Sequence, residues 1–207
     1  MKFPIKKYYT VDEYGKNYFK LLNELSESIN FKKLDKIIKI IKKNYSSKFN
    51  KLFVCGNGGS AALANHFACD HQKILFETKK IKPEIISLSS NSAIITAIAN
   101  DNSYDQIFVD QLKQTGNKKD ILFTISSSGN SKNVVNALKY ANQNGLITIS
   151  LTGFNGGVSK KISKHNVHVN CSNYGIVEAM HHSIMNIISQ FIKSNLIAKK
   201  KIANTIF

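Results

Sequence analysis

The residues best suited to bind a ligand lie in the stretch Ile121–Ser131, where an apolar run leads into four serines, a glycine and an asparagine. Helical apolar spacing follows over Asn133–Asn142. A buried strand that leads through a hydroxyl-rich turn into a helix can bind an anion, because the turn offers backbone N–H groups, hydroxyls and the positive end of the helix dipole. The turn itself contains no lysine and no carboxylate. We therefore expect neutral donors to hold a phosphate here, and the ligand to be a phosphorylated small molecule.

A second turn of this kind, Gly56–Ser60 (GNGGS), follows the apolar run Lys51–Cys55 and precedes a helical pattern. Its glycines allow the backbone to approach a ligand closely, and Ser60 suits the N-cap of a helix that begins at Ser60 or Ala61. The spacing matches neither GxGxxG nor GxxxxGK[ST], so we expect no nucleotide cofactor. Because the carboxyl ends of parallel strands meet at one edge of a sheet, the two turns should lie side by side.

One histidine has a carboxylate partner at helical spacing. His66 and Asp70 are four residues apart, so they share one face of a helix, and this spacing suits a pair of metal ligands. A buried histidine with a structural hydrogen bond is the alternative interpretation. We expect His71 to lie on the surface. His165 and His168 are interpreted as structural, because no partner stands at ligand spacing from them.

The composition indicates a single folded domain over residues 1–207. Hydrophobic residues make up 43% of the chain, enough for one sizeable core. The apolar runs are too short to cross a membrane, and the charged N-terminus does not resemble a secretory signal. Three widely spaced cysteines favour free thiols in the cytoplasm over disulfides. Two of them, Cys55 and Cys69, are expected in the core.

The formal net charge of +16 comes from lysine, since the chain contains no arginine. Arginine is the better residue for bidentate contacts to phosphates and bases, and no basic run is interleaved with aromatic residues. A nucleic-acid surface is therefore the weaker interpretation, and lysines spread over solvated faces are the stronger one. We expect neither a nucleic acid nor a membrane as a partner.

Strand patterns alternate with helical ones along most of the chain, after a pair of helices at Tyr14–Asn30 and Phe31–Tyr45. This alternation predicts an α/β fold, a three-layer αβα sandwich around a parallel, doubly wound, flavodoxin-like sheet of five strands. A basic linker is expected at Glu77–Lys82, a long last helix at Ile176–Ala198, and a loose tail at Lys199–Phe207. The five strands are predicted at Lys51–Cys55, Glu84–Leu88, Ile121–Ile125, Ile147–Leu151 and Val167–Asn170.

Four motifs occur in a fixed order along the chain: GNGGSAA, ANDNSYDQIFVDQL, ISSSGNSKNVVNAL and SLTGFNGG. Together they resemble the sugar isomerase (SIS) family, and within it the sedoheptulose 7-phosphate isomerases, or phosphoheptose isomerases, over about residues 15–195. The resemblance implies an aldose–ketose isomerase that forms a heptose 7-phosphate through an enediol, for lipopolysaccharide or capsule synthesis. It also implies a homotetramer packed through the N-terminal helices at residues 1–48, around an αβα core at residues 49–198.

The same resemblance assigns site residues position by position. Acid–base chemistry falls to Asp70, Glu178 and His182. A zinc ion, which members of the family can use, would take His66, Asp70, Glu178 and His182 as ligands. The serine turn, Ser126–Ser131, would bind the sugar phosphate, and the glycine turn, Gly56–Ser60, would bind the sugar or its phosphate. Asp101 would bind the sugar hydroxyls. The implied substrate-binding residues are Asn57, Ser60, Asp101, Ser126, Ser127, Ser128 and Ser131.

Two departures from the family pattern leave the activity open. Asp70 stands where the family has glutamate, and Asn186 stands where it has the last histidine of the final helix. Asparagine cannot take up a proton, so His182 is the expected substitute. Lys73 is the candidate to take the role of an arginine that occurs in the family. Two alternatives remain: a non-catalytic SIS protein that senses a phosphosugar or binds a partner, and an isomerase of a different phosphosugar.

Overall fold

A computed structural model describes residues 1–78 and 84–207 of the chain. Its strands are β1 Lys51–Cys55, β2 Glu84–Ser87, β3 Ile121–Ser126, β4 Ile147–Thr152 and β5 His165–His168. Within the described residues these five strands form one sheet in the order β2-β1-β3-β4-β5, and every neighbouring pair is parallel. The order confirms the predicted doubly wound, flavodoxin-like sheet.

The central strand β3 shows how the sheet is enclosed. All six of its residues are buried, as expected of a parallel strand that is covered on both faces. Successive side chains point to opposite faces, so Phe123 and Ile125 belong to one hydrophobic core while Leu122 belongs to another. The sheet therefore separates two cores, one beneath each layer of helices.

Helices cover each face of the sheet and complete the predicted αβα sandwich. One core contains side chains from α1 Val11–Glu27, α2 Phe31–Tyr45, α3 Gly59–Thr78 and α8 Tyr174–Leu196. The other is covered by α4 Ser92–Asp101, α5 Ile107–Thr115, α6 Lys132–Gln143 and α7 Gly157–Ile162. A 3-10 helix, Tyr104–Gln106, leads into α5.

Among the element boundaries that differ from the prediction are those of α3 and β5. Because α3 begins at Gly59, Ser60 lies in its first turn, and the prediction that Ser60 caps the helix is wrong. The fifth strand was expected at Val167–Asn170 but lies at His165–His168. Its register explains the shift, since β5 pairs from His165 opposite Ile149 to His168 opposite Thr152.

The segment after α8, expected to be a loose tail, folds back onto that helix. It forms a 3-10 helix at Lys199–Asn204. Beyond this helix, Lys193 Nζ of α8 donates a hydrogen bond to the Ile206 carbonyl oxygen at 2.9 Å and lies 5.3 Å from the centroid of the Phe207 ring. These contacts anchor the last residues to the end of α8.

The length of α3 affects the predicted basic linker. Since α3 ends at Thr78, the first two residues of the expected linker Glu77–Lys82 are helical, and the other four lie outside the described residues. Although α3 and α8 are long, no helix in the described part of the chain has the length and apolar character needed to span a membrane.

Candidate active site

A cavity of about 310 Å³, the serine cavity, opens where the loops after β1 and β3 meet. The chain continues from β1 to β2 on one side and reaches β3 on the other, so this is the switch point at which doubly wound sheets bind ligands. Both predicted turns therefore contribute to one site. Its described lining residues are Asn57, Gly58, Gly59, Ser60, Ile125, Ser126, Ser127, Ser128, Ser131, Tyr174 and Glu178.

The serine turn offers hydroxyls that the protein does not use itself. The Ser127 hydroxyl is buried and has no hydrogen-bond partner among the described residues. Ser131 occupies the N-cap position of α6, yet its side chain makes no capping bond. A buried hydroxyl without a partner costs about 1–3 kcal/mol, and a bound phosphate oxygen would relieve that cost.

The other two serines shape the turn. Ser126 Oγ accepts a hydrogen bond from the Gly129 N–H at 3.1 Å, and Ser128 Oγ accepts one from the Asn130 N–H at 3.2 Å. Since a hydroxyl both donates and accepts, their hydrogens stay free for a ligand. The turn is this tight because Gly129 has a φ of +66° and a Cβ there would overlap the Gly156 carbonyl oxygen.

The first glycine turn brings a carboxylate to the wall of the cavity. A Cβ on Gly59 would lie only 2.6 Å from Glu178 Oε1, so the carboxylate of α8 rests against the first residue of α3. A negative charge is stabilised at this place by the positive end of the α3 dipole. Within the described lining, Glu178 is the one carboxylate, and Ser60 is buried beside it.

A second cluster lies between α3 and α8, one helical turn beyond Glu178. His66 Nε2 is 3.2 Å from Asp70 Oδ2. The His66 ring meets the His182 ring edge to face, with 4.7 Å between centroids and 87° between planes. His182 Nε2 is buried and has no hydrogen-bond partner in the described part of the chain. The structure therefore brings three of the predicted catalytic and metal residues together, with Glu178 on the same face of α8.

Asn186, which the resemblance to the family aligns with the last histidine, lies between the same two helices. It lines a cavity of about 220 Å³ between α3 and α8, together with His66, Asp70 and Lys73. His182 therefore does not occupy the place of Asn186 but lies one turn before it. The two residues border the His66–Asp70 pair from successive turns of α8.

The side chains as placed do not fit a zinc site. Among the side chains that the structure describes, no group of three or more His, Cys, Asp or Glu residues is arranged to hold a metal ion. Glu178 is directed to the backbone of Gly59, and the His66 imidazole pairs with the Asp70 carboxylate. Zinc binding by His66, Asp70, Glu178 and His182 stays a prediction.

The Asn57 side chain is hydrogen-bonded by two residues that the sequence analysis missed. Its Nδ2 donates to Asn133 Oδ1 and its Oδ1 accepts from Asn133 Nδ2, both at 2.9 Å. The Tyr104 hydroxyl donates to the same Oδ1 at 3.1 Å. Tyr174, an exposed residue that lines the cavity, was also missed. The available signal for Asn133 was a polar residue within the apolar stripe of α6, next to Val134.

Comparison with known proteins places this geometry in a family. The family model described as SIS domain matches residues 13–153. The chain belongs to the SIS domain family. A phosphoheptose isomerase from Synechocystis sp. is 37% identical over 153 residues, which cover 74% of this chain and 78% of that protein. One from Helicobacter pylori is 39% identical over 150 residues, which cover 72% of this chain and 77% of that protein.

A solved structure agrees with this assignment. The phosphoheptose isomerase GmhA from Neisseria gonorrhoeae superposes on this SIS domain with a TM-score of 0.80 at 27% identity, and the alignment covers 89% of this chain and 97% of that chain. The fold and the family predicted from the four motifs are therefore confirmed, and the relatives' names identify them as isomerases.

One predicted sugar-binding residue is not brought to the cavity of this SIS domain. Asp101 is the last residue of α4, where it is exposed and its Oδ1 accepts a hydrogen bond from Asn100 Nδ2 at 2.9 Å. It is absent from the described lining of the serine cavity. Binding of sugar hydroxyls by Asp101 stays a prediction.

Two side chains of α3 lie opposite to where the sequence suggested. His71, expected on the surface, is buried, and its Nδ1 lies 2.6 Å from the Tyr45 hydroxyl. Burial lowers the pKa of His71 to about 3, so its ring is neutral. Cys69, expected in the core, is exposed, whereas Cys55 is buried as predicted. Burial also lowers the pKa of His181 to about 4, so this neighbour of His182 is a neutral core residue.

Proposed function

We propose that this SIS domain protein interconverts the ketose and aldose forms of a phosphosugar, with sedoheptulose 7-phosphate as its substrate. The observation that carries the proposal is the cavity at the switch point, where the unpartnered Ser127 hydroxyl and the Glu178 carboxylate line the same space. A phosphate can be bound by neutral hydrogen-bond donors, and a proton transfer beside a carbonyl needs a base. The relatives named phosphoheptose isomerases support the seven-carbon sugar.

The proposed reaction moves one proton between neighbouring carbons. A base takes the proton from C1 of the ketose, and the electron pair of that C–H bond forms the C1=C2 double bond of an enediol while the C2 carbonyl oxygen gains a proton. The carbon-bound proton then returns at C2 and the hydroxyl at C1 loses its proton, which gives the aldose. We assign the carbon-bound proton to Glu178, because it is the carboxylate in the described lining.

A second group has to manage the protons on the sugar oxygens. His182 follows Glu178 by four residues, about 6 Å along the helix axis. It is absent from the described lining of the serine cavity, so we place it beside the site, on the following turn of α8. We assign the oxygen-bound protons to His182 and Asp70. Support comes from the packing of His182 on His66, whose Nε2 lies 3.2 Å from Asp70.

The substitution Glu178→Gln tests the assignment of the base. We expect kcat to fall by at least about 100-fold, because the amide cannot take up the proton from C1, while it fills the same space beside Gly59. NMR in deuterated water follows both the aldose product and deuterium uptake at C2. Calorimetry with sedoheptulose 7-phosphate checks that the variant still binds.

Glu84→Gln is the matched control, because Glu84 is an exposed carboxylate on β2, and it should behave as the wild type. Deuterium uptake that persists in Glu178→Gln would rule out Glu178 as the base. A wild-type protein that binds phosphosugars but turns over none of a panel of them would instead be the non-catalytic sensor.

We further propose that the protein acts as a homotetramer in the cytoplasm and supplies heptose phosphate for lipopolysaccharide or capsule synthesis. Exposed apolar side chains on α1, Val11 and Phe19, support self-association. Light scattering of the purified chain tests the tetramer, and a monomer at micromolar concentration would contradict it. Assays with chelator and with added zinc test the zinc prediction.

A further inference from the structure

A series of hydrogen bonds fixes the orientation of the Asn57 side-chain amide, that is, which of its atoms is the oxygen and which the nitrogen. The backbone N–H of Val134, which can only donate, bonds to Asn133 Oδ1 at 2.9 Å. That partner has to be the oxygen of the Asn133 amide, so the Asn133 nitrogen is the atom that donates to Asn57 Oδ1. Amide oxygens and nitrogens are assigned from such networks, and here a backbone group sets the assignment for both side chains.

Asn57 is then left with one free hydrogen-bonding group. Its Oδ1 accepts from Asn133 at 2.9 Å and from the Tyr104 hydroxyl at 3.1 Å, which uses both lone pairs. One hydrogen of its Nδ2 goes to Asn133 Oδ1. The other hydrogen remains, on a residue that lines the serine cavity. Asn57 can therefore donate to a ligand in this cavity but cannot accept from one.

We propose that Asn133 is a positioning residue, which locks Asn57 so that an N–H, and not a carbonyl oxygen, faces the phosphate ester of the sugar. The proposal rests on the proposed function for the identity of the ligand. A reversed amide would place oxygen lone pairs against an anion, in a site that otherwise binds through neutral donors. Asn133 itself is 1% exposed and is absent from the described lining, so it acts through Asn57.

The lock also joins the two turns of the site. Asn57 follows β1, and Asn133 lies in the first turn of α6 just after the serine turn, 76 residues along the chain. Tyr104 adds a third segment, the 3-10 helix before α5. Loss of the Asn133 donor therefore leaves the Asn57 Oδ1 with the Tyr104 hydroxyl alone, while the serine hydroxyls keep their own places.

The substitution Asn133→Asp separates the contact of Asn133 with Asn57 from its contact with Val134. It keeps the shape of the side chain and the acceptor for Val134, but it replaces the donor to Asn57 with a second oxygen. Whichever way Asn57 turns, one pair of oxygens then faces each other, so the lock breaks. We expect the Kd for sedoheptulose 7-phosphate, measured by calorimetry, to rise by about tenfold or more. KM should rise with it while kcat changes little, because a contact to the phosphate is made equally in the ground and transition states.

Asn136→Asp is the matched control. It makes the same exchange on the next turn of α6, adds the same charge and breaks the 3.2 Å bond from Asn136 Nδ2 to the Asp105 carbonyl oxygen, without contact to Asn57. Its thermal stability should fall, and its Kd should stay within about twofold of the wild type. A Kd raised equally in both variants would overturn the proposal.

Asn57→Ala tests whether Asn133 acts through Asn57. In that background Asn133→Asp should add little further loss of affinity, whereas additive losses would overturn the proposal. An unchanged Kd in Asn133→Asp alone would also overturn it. A wild-type protein that binds sedoheptulose 7-phosphate without isomerising it would defeat the proposed function alone, and the Kd comparison would still decide the role of Asn133. A wild-type protein that binds no phosphosugar would defeat both.

Discussion

Ser127 and Ser159 are both buried serines whose hydroxyls have no hydrogen-bond partner in the described part of the chain. Ser127 lines the serine cavity, whereas Ser159 is absent from its described lining. Each hydroxyl raises the free energy of the folded protein by the cost of an unmet hydrogen bond, about 1–3 kcal/mol. At Ser127 a bound phosphate can meet that need, so the same structural cost has different consequences at the two residues.

Ser127→Ala should therefore weaken phosphosugar binding without weakening the fold. We expect the Kd for sedoheptulose 7-phosphate to rise by about tenfold or more, since a hydrogen bond to a charged group is worth about 1.5–3 kcal/mol. The melting temperature should stay level or rise slightly. Ser159→Ala is the control, with the same effect on stability and no effect on Kd. Wild-type affinity in Ser127→Ala would show that its hydroxyl does not bind the phosphate.

The neighbouring strands β1 and β3 are joined at their amino ends as well as at the site. Asp120, fully buried just before β3, accepts hydrogen bonds from the Lys51 N–H at 2.8 Å and from the Asn117 N–H at 2.7 Å. One carboxylate thus aligns the starts of the two strands whose opposite ends carry the two turns of the serine cavity. It also satisfies two backbone donors that would otherwise lie unpaired beside the core.

Asp120→Ala should destabilise the protein by about 3 kcal/mol, because it removes two bonds to a charged acceptor and strands their donors. Urea unfolding measures the loss. Asp35→Ala removes an exposed carboxylate that pairs with Lys39 at 2.6 Å, and it should change stability by about 0.5 kcal/mol at most. Equal losses in the two variants would show that Asp120 contributes no more than a surface ion pair.

Local patterns were enough to predict most elements but not the contacts between them. The bounds of β1 and α2 agree with the prediction, because apolar runs and helical spacing are properties of short segments. The orientation of α3 was also within reach, since Ala64, Phe67 and His71 follow the three- and four-residue spacing of a buried stripe. The pairing of Asn57 with Asn133 was not, because it depends on a contact across 76 residues and on rotamers that no local pattern specifies.

Two neutral histidines inside the molecule tie its stability to pH. Burial lowers the pKa of His71 to about 3 and that of His181 to about 4. At His181 a hydrogen bond to the Thr152 backbone opposes this lowering of the pKa, and the charge of His168 adds a smaller lowering. In the unfolded chain both histidines should have a pKa of about 6.5. Below that pH the unfolded state therefore binds more protons than the folded state, and stability must rise with pH.

Stability should thus be at its full value above about pH 6.5 and fall as the pH approaches 4, with these histidines contributing a slope of up to about two protons. His181→Leu should lower that slope by about one proton, because it removes the group that titrates. Urea unfolding at several pH values gives the slopes. Parallel curves for the variant and the wild type would show that His181 is not held neutral by the fold.

The walls of the serine cavity come from residues within 57–60, 125–131 and 174–178, so a ligand bound there would touch distant parts of the polypeptide at once. The ligand would link these segments non-covalently, so an opening that separates α8 from α3 requires the ligand to dissociate first. At a ligand concentration of 100 times Kd, binding adds about 2.7 kcal/mol to the free energy of unfolding. Metabolite supply would then govern how long each enzyme molecule survives proteolysis, so a shortage of substrate shortens the lifetime of the catalyst that consumes it.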